Sequence, residues 1–577
     1  MNIFAVRSLI ALNQAIILYL LYFVSKTPVL WPATQPALFV PLVIVTLFVP
    51  LIIIQSIGNI CNKTLGIWSL SATIILSFIS YYAVFREVTP DKTFSEIPKV
   101  FFFILPAMFI AHALIVSGDL DRRVRAHYQT YFNIAWKQGV QVVLMIAFTA
   151  AFWLLLQLGA QLFKIIHLNF FSELINKSWF AIPATTLAIA TALHVTDVKV
   201  NLIEGIRTLS LVLLSWLLPL ITAILSLFLL SLFFTGLTPL WETGHASSLL
   251  MLASASLIGL INAAYQNGTT SMPAIQRYAV LLACVLLTPI VLIIIYSFFL
   301  RVQQYGWTDL RIYAAAVLII LTTYTCGYLF AVLQSNKTLK LIEACNVAVA
   351  FLIVAVYLAL LTPIADPARL TVANQLSRLR SGLVTPEKFD FRALKFKGEK
   401  YGQEALQQLQ NHWQGPNAEY VRAQAKETLA LVYDFPHREN MSVEAKNNMI
   451  VNHTTDHPLP ESFRKQDWPQ YSESIYLPNC LVSGSKKCDA WVMGDTSHPL
   501  ILIISEETNS FVGFKQNQDG VWNAIGKWSI PYRCKNTLNN AIAGKFKMVT
   551  PVMEQPDIEV MGWRTHFMRG EKSEGCE

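Results

Sequence analysis

Charge is what this chain has least of. Only 14% of its 577 residues are Asp, Glu, Lys or Arg, while 54% are hydrophobic. Soluble globular chains carry about 25% charged residues. A deficit of this size, with a mean hydropathy of +0.47, excludes an ordinary soluble enzyme and a disordered chain. Eight cysteines in 577 residues are too few for a small disulfide scaffold. G-x-S-x-G, P-loop, G-x-G-x-x-G and H-E-x-x-H patterns are all missing, which removes the commonest motif-bearing enzyme classes. No repeat, low-complexity tract or inverted symmetry of the transporter kind stands out.

What the chain does have is long apolar text, unevenly placed. Residues 1–363 hold 19 Lys/Arg and 11 Asp/Glu, and the remaining 214 residues hold 25 of each. The net charge of +8 therefore belongs to the first part, and the tail is neutral. A tail without net positive charge makes nucleic acid an unexpected partner. The expected fold class is an α-helical polytopic membrane bundle followed by a small α+β soluble domain. Its expected divisions are a bundle over 1–363, a connector with amphipathic and helical segments over 364–435, and a soluble domain over 436–577.

A spanning helix needs about 20 mostly apolar residues, because lipid leaves exposed backbone groups unsatisfied. Eleven stretches qualify, near 5–24, 37–57, 65–85, 100–117, 139–163, 179–196, 208–235, 247–265, 279–300, 312–333 and 342–363. The fifth and seventh are long enough to require tilt, or a break near Pro219. The sixth carries Pro183 and several Thr and is the weakest. The first lacks a nearby small-x-small cleavage site and reads as a retained helix rather than a signal peptide.

Lys and Arg in short loops set orientation. With the N-terminus inside, eleven fall on the inner side and eight on the outer, and the dense Gly118-Asp-Leu-Asp-Arg-Arg-Val-Arg125 cluster is inside. The expected location is a bacterial inner membrane, with a cytoplasmic N-terminus and a periplasmic tail. Cys480, Cys488, Cys534 and Cys576 lie in that tail, where two disulfides are reasonable in an oxidising compartment; the alternative is four free thiols in a cytosolic tail.

In the tail, an amphipathic helix is expected from Leu370 to Ser381, at the membrane surface. Helical spacing predicts helices over 401–413 and 418–433, and 435–470 reads as loop. Short strands are predicted over Ser474–Val482, Ala490–Met493, Leu500–Ile504, Phe511–Lys515, Val521–Ile525 and Ile558–Trp563, in a mostly antiparallel sheet. His453-Thr-Thr-Asp-His457 has an i,i+4 His pair, but it sits in loop-like surroundings, so no metal is expected there.

Ionisable residues inside a membrane are functional candidates by default. His112 is such a residue; it either relays protons or binds a ligand, or is a neutral imidazole bonded to a neighbouring helix. Asp197 and Glu343 lie near helix ends, where exposure to water suffices. Gln157 and Asn262 read as interhelical hydrogen-bonding groups. Two connections are richer. The segments 234–250 and 300–313 bring Trp241, Glu242, His245, Arg301, Tyr305, Trp307, Asp309 and Arg311 to the outer face. Thr308 is placed to cap the tenth span, and Asp309 suits its positive end. The plain reading is an interfacial aromatic belt with snorkelling Arg. The sharper one is a binding site in which Arg301 and Arg311 hold an anionic lipid head group or a tail carboxylate.

These segments resemble a known family, the bacterial multi-pass membrane proteins of the domain-of-unknown-function 4153 family. The likeness rests on Phe234-Thr-Gly-Leu237, Leu240-Trp-Glu-Thr-Gly244, Asn262-Ala-Ala-Tyr-Gln-Asn-Gly268 and Arg301-Val-Gln-Gln-Tyr-Gly-Trp-Thr-Asp-Leu-Arg-Ile312. With Thr362-Pro-Ile-Ala-Asp-Pro-Ala-Arg-Leu370 and, more loosely, Lys395-Phe-Lys-Gly-Glu-Lys-Tyr-Gly402, the resemblance runs from about residue 100 to about residue 410. The resemblance implies a multi-pass inner-membrane protein and carries over no activity, cofactor or catalytic residue. Asn262 stands with the residues of the two connections as a further binding candidate.

Three functions fit. The first is a non-enzymatic envelope protein whose bundle docks an extracytoplasmic domain that binds an envelope protein or another envelope component. The second is a permease, for which Pro41, Pro50, Pro106, Pro183, Pro219 and Pro289 permit broken helices. The third is a membrane-embedded transferase with His245, Glu242 and Asp309 as its acid/base candidates. The first is preferred, with the lipid bilayer as a further partner and no cofactor.

Overall fold

Among the described residues, eleven helices are long and apolar enough to cross a membrane. The structure, a computed structural model, describes residues 3–26, 30–88, 96–238, 240, 246–268, 272–334, 340–415, 417–431, 449–454, 457–466, 468, 471–472, 475–482, 487–493, 499–505, 510–517, 520–529, 558–560 and 563–565. The spans are α1 (Ile3–Lys26), α2 (Pro36–Ser56), α3 (Asn62–Arg86), α4 (Glu96–Leu120), α5 (Tyr128–Ile165), α7 (Ser178–Val198), α8 (Val200–Thr235), α9 (Ala246–Tyr265), α10 (Ala274–Tyr305), α11 (Asp309–Leu333) and α12 (Lys340–Leu360). A short helix, α6 (Phe170–Asn176), precedes α7 and has no counterpart in the sequence reading.

The two long spans resolve without a break. α8 has 36 residues and runs through Pro219, and α5 has 38. Helices of that length reach roughly 54–57 Å, beyond the roughly 30 Å hydrocarbon layer. Pro41, Pro50, Pro106, Pro183 and Pro289 also sit inside continuous helices.

The bundle buries two main apolar cores. One joins α8 to α12 around Leu257, Leu287, Ile290 and Tyr328. The other joins α1 to α4 around Phe39, Ile44, Trp68 and Leu76. The 118–127 turn is fixed by its acids. Asp119 accepts from the Cys61 N–H and the Thr64 hydroxyl, and Asp121 accepts from the His127 N–H at 2.7 Å and the Thr130 hydroxyl at 3.0 Å. The His127 backbone N–H, with its side chain and Thr130, holds the Asp121 carboxyl below its ordinary range.

The bundle continues into a helical cap: α13 (Pro367–Arg380), α14 (Phe391–Lys397), α15 (Glu399–His412) and α16 (Ala418–Ala430). Bundle and cap together form one compact unit, residues 1–432. α13 starts with Asp366 as N-cap, its carboxylate accepting from the Arg369 N–H, and with Pro at the first turn. The amphipathic helix expected at the membrane surface instead buries Val372, Leu376 and Leu379 in the cap core, against Phe391, Leu406 and Val421. Gly398 and Gly402 are demanded by packing. A Cβ on either would collide with the Leu394 carbonyl oxygen, so the crossing of α14 and α15 requires glycine.

Residues 433–577 form the second compact unit. Its sheet has the order β1-β4-β5-β6-β7, from β1 (Ile450–Asn452), β4 (Cys488–Met493), β5 (Leu500–Ser505), β6 (Ser510–Gln516) and β7 (Trp522–Ser529). β1 pairs with β4 in parallel and the other pairs are antiparallel. One face packs Phe463, Trp468, Phe514 and Trp522. Two hairpins accompany it, β2 (Tyr471–Ser472) with β3 (Ile475–Tyr476) and β8 (Ile558–Val560) with β9 (Trp563–Thr565). The strand expected over 474–482 is only β3; Pro478 follows it and a helical turn, α18 (Asn479–Val482), takes the rest, after α17 (Glu461–Lys465). The expected 435–470 loop holds both β1 and α17. Cys480 and Cys488 are joined in a disulfide, while Cys534 and Cys576 lie outside the described residues.

Candidate functional site

The 301–311 connection is where the bundle meets its cap. α10 ends at Tyr305, and Gly306 follows with φ +74°, a conformation that side-chain-bearing residues rarely adopt. Glycine is needed there twice over, since a Cβ would lie 2.6 Å from Arg378 Cδ and 2.7 Å from Asn374 Oδ1. α13 is laid across this turn and reads its backbone. Asn374 Oδ1 accepts from the Trp307 N–H at 2.9 Å. Gln375 Nε2 donates to the Trp307 carbonyl at 2.9 Å and the Tyr305 carbonyl at 3.3 Å. Arg378 donates to the Gln303 and Gln304 carbonyls, which end α10 and lack helical donors of their own.

The side chains of the connection are also engaged. The Thr371 hydroxyl donates to Asp309 Oδ1 at 2.7 Å. Arg311 donates to the Gly306 carbonyl at 2.8 Å and lies over the Tyr305 ring, 5.3 Å from its centroid. Trp307 meets Phe298 edge-on, with centroids 5.8 Å apart. Arg301 and Arg378 are both close enough to act electrostatically on Arg311. Thr308 occupies the N-cap position of α11 but makes no side-chain capping bond.

Beside this turn a cavity of about 580 Å³ opens between α11, α12 and α13. Its walls are apolar, including Ile312, Ala316, Ile319, Leu360 and Leu370, and Trp307 and Asn374 also line it.

Two other polar sites were not foreseen. At the same end of the bundle, Asp366 is fully buried and accepts from the Tyr82 hydroxyl at 2.5 Å and from Arg86 at 3.1 Å. Arg86 Nε is also 3.3 Å from Glu399, and the Tyr82 and Tyr401 hydroxyls are 2.8 Å apart. At the other end of α3, buried Arg7 pairs with Asp197 at 2.7 Å and donates to the Ile57 carbonyl at 3.1 Å; Asp197 also accepts from Lys137 at 3.0 Å and from the Asn59 amide at 3.1 Å. Asp197 is therefore not simply a water-facing helix-end residue. Its carboxylate bonds groups from α1, the α2–α3 turn and α5.

Asn262 does not join the connection. It lies near the far end of α9, in a network within the bundle. Asn262 Oδ1 accepts from Asn346 at 2.6 Å and Tyr328 at 3.2 Å, and Asn346 also donates to the Tyr128 hydroxyl at 3.1 Å. Glu343, expected to face water, accepts from the Tyr265 hydroxyl at 2.7 Å beside it. His112 is buried on α4, and its Nδ1 accepts from the Trp68 indole at 3.1 Å. Trp241, Glu242 and His245 lie outside the described residues. In the second unit, His453 is 2.6 Å from Asp489 and stacks on Trp491. Among the described residues no cluster of three His, Cys, Asp or Glu side chains is placed to hold a metal.

The fold and these contacts define a multi-pass helical membrane protein with a helical cap clamped to one end of its bundle. A family model described as a domain of unknown function, DUF4153, matches residues 14–410, and the chain belongs to that family. The match takes in the bundle and the cap as far as α15, and it stops short of the β-sheet unit. No curated protein and no solved structure matches the chain.

Proposed function

We propose that this is a non-enzymatic envelope protein of the bacterial inner membrane, with its N-terminus cytoplasmic and its cap and β-sheet unit outside. In this reading the bundle is an anchor, and the cap and the second unit bind an envelope component. The observation that carries it is the use made of the 303–309 connection. Its backbone carbonyls, the Trp307 N–H and the Asp309 carboxylate are occupied by α13, which makes the connection a clamp for the cap. With Asp309 occupied by Thr371, the transferase reading loses one of its three acid/base candidates. The excess of Lys and Arg at the N-terminal side and the Cys480–Cys488 disulfide both support the orientation.

A permease is the second reading, favoured by the Tyr128, Asn262, Tyr328 and Asn346 network within the bundle. The unbroken run of every Pro-containing span weighs against gating by broken helices.

The test is photo-crosslinking in intact cells from exposed positions such as Tyr420 in the cap and Trp528 in the sheet. Discrete adducts with an envelope component, reduced when Asn374, Gln375 and Arg378 are all replaced by Ala, are expected. Substrate-dependent flux through reconstituted protein, with no adduct from either position, would overturn the reading.

A further inference from the structure

The seam between cap and bundle combines two features that the clamp alone does not require. The first is a cluster of cations at a helix-end level. Among the described residues Arg311 and Arg378 meet only backbone carbonyl oxygens in their hydrogen bonds, and Arg301 lies within electrostatic reach. Carbonyl acceptors orient guanidinium groups without cancelling their charge. The acidic residue of the 300–313 stretch, Asp309, is bonded to Thr371. Arg378 Nε is moreover buried with no hydrogen-bond partner among the described residues. Gathering like charges at the edge of a low-dielectric bundle is unfavourable unless an anion shares them.

The second feature is the cavity of about 580 Å³ beside that cluster. Its size falls in the range of about 300–1,000 Å³ typical of small-molecule sites. Ala315, Ala316 and Ala359 leave the space, and Ile312, Ile319 and Leu360 line it at the depth of the spanning helices. Trp307 lines it at the turn, where α10 ends and α11 begins, the level at which phospholipid head groups meet a spanning protein.

We propose that this seam holds one anionic phospholipid, with its phosphate against Arg311 and Arg378 and an acyl chain in the cavity under α13. Charge selects the occupant. A zwitterionic phospholipid brings its own cation to a site already rich in them, whereas an anionic one neutralises it. The proposal names a partner for the clamp described above, but it needs only the local geometry and not the side of the membrane on which the cap lies.

The experiment uses full-length protein in nanodiscs, with native mass spectrometry and thermal unfolding after exchange into phosphatidylglycerol or phosphatidylethanolamine. Wild type is expected to retain phosphatidylglycerol at least about tenfold better, a difference of one decade in affinity, and to unfold at a higher temperature in it. Arg311→Gln should abolish the preference between the two lipids, and Ala359→Phe, which fills the cavity, should reduce retention of both. Equal retention of both lipids by wild type would overturn the proposal, as would retention unchanged in both variants. Displacement of the lipid by millimolar inorganic phosphate would also overturn it, in favour of a site for the free anion. The wild-type comparison stands even if a variant fails to fold. A result against lipid binding leaves the clamp reading intact, and a failure of the crosslinking test leaves lipid selectivity measurable.

Discussion

Asp366 and Arg86 are 280 residues apart in the chain and 3.1 Å apart in the structure. Asp366 is fully buried, and Arg86 ends the third span. The same carboxylate also caps α13 through the Arg369 N–H. One side chain thus starts the cap helix and ties it to the bundle. Removing one partner of a buried ion pair costs up to about 3–5 kcal/mol when the other charge is left uncompensated; Arg86 would keep Glu399, 3.3 Å away, so the lower end of that range is expected. Asp366→Ala is therefore expected to lower the unfolding temperature strongly in detergent and to expose 367–430 to limited proteolysis. Full protection in that variant would contradict the assigned role.

Arg7 and Asp197 make the corresponding tie at the other end of α3, joining α1 to α7. Asp197→Ala leaves a buried guanidinium and a nearby Lys137, and a loss of about 3 kcal/mol or more is expected. The Arg7→Met/Asp197→Ala pair should be less damaging than Asp197→Ala alone, since the buried guanidinium is no longer stranded and only the more exposed Lys137 loses its partner. Thermal unfolding of the three variants side by side measures the coupling, and strict additivity would show that the pair does not interact.

Gly402→Ala places a Cβ into the Leu394 carbonyl oxygen, a backbone atom that cannot swing aside. A loss of about 2 kcal/mol or more is expected, in the range of strongly perturbing substitutions. Gly205 in α8 has nothing within 4 Å of the same added atom, so Gly205→Ala should gain about 0.5–1 kcal/mol from helix propensity. Chemical denaturation of both variants checks the contrast in sign.

The Asp121 carboxyl is held below its ordinary value by the His127 backbone N–H. A depressed carboxyl stabilises the 118–127 turn above its unfolded pKa, about 3.9, and the contribution disappears as pH falls through the lower folded value. Protection of this turn against hydrogen exchange, measured relative to the intrinsic rate at each pH, should fall below about pH 4. Asp121→Asn should show the lower protection at neutral pH as well, with no further acid-dependent loss.

The spans were legible because lipid imposes a harsh rule on sequence, and even Ser178–Val198, with its Pro and Thr, obeys it. The turn chemistry was only partly legible. Thr308 and Asp309 were placed at a helix start, yet Thr308 makes no capping bond and Asp309 answers to Thr371, 62 residues on. Distant pairs leave no local signal: Arg86 with Asp366 and Arg7 with Asp197 read as unrelated loop charges. Gly398 and Gly402 stand out in the family-like 395–402 stretch, but only the α14–α15 crossing explains them. The 474–482 strand was misread because its β-like residues are interrupted by Pro478, which β3 ends before and α18 begins after.

Sidedness tests the central claim most directly. Arg7 bonds the α2–α3 turn and Asp366 the far end of α3, so the proposed reading puts the cap across the membrane from the start of α1. A phosphatase that is active only outside the cytoplasm, fused after residue 431 or after residue 577, should be active. A fluorescent protein that matures only in the cytoplasm should be dark at the same positions. The reverse pattern would contradict the account and return the cap, its arginines and the Cys480–Cys488 pair to the cytoplasm.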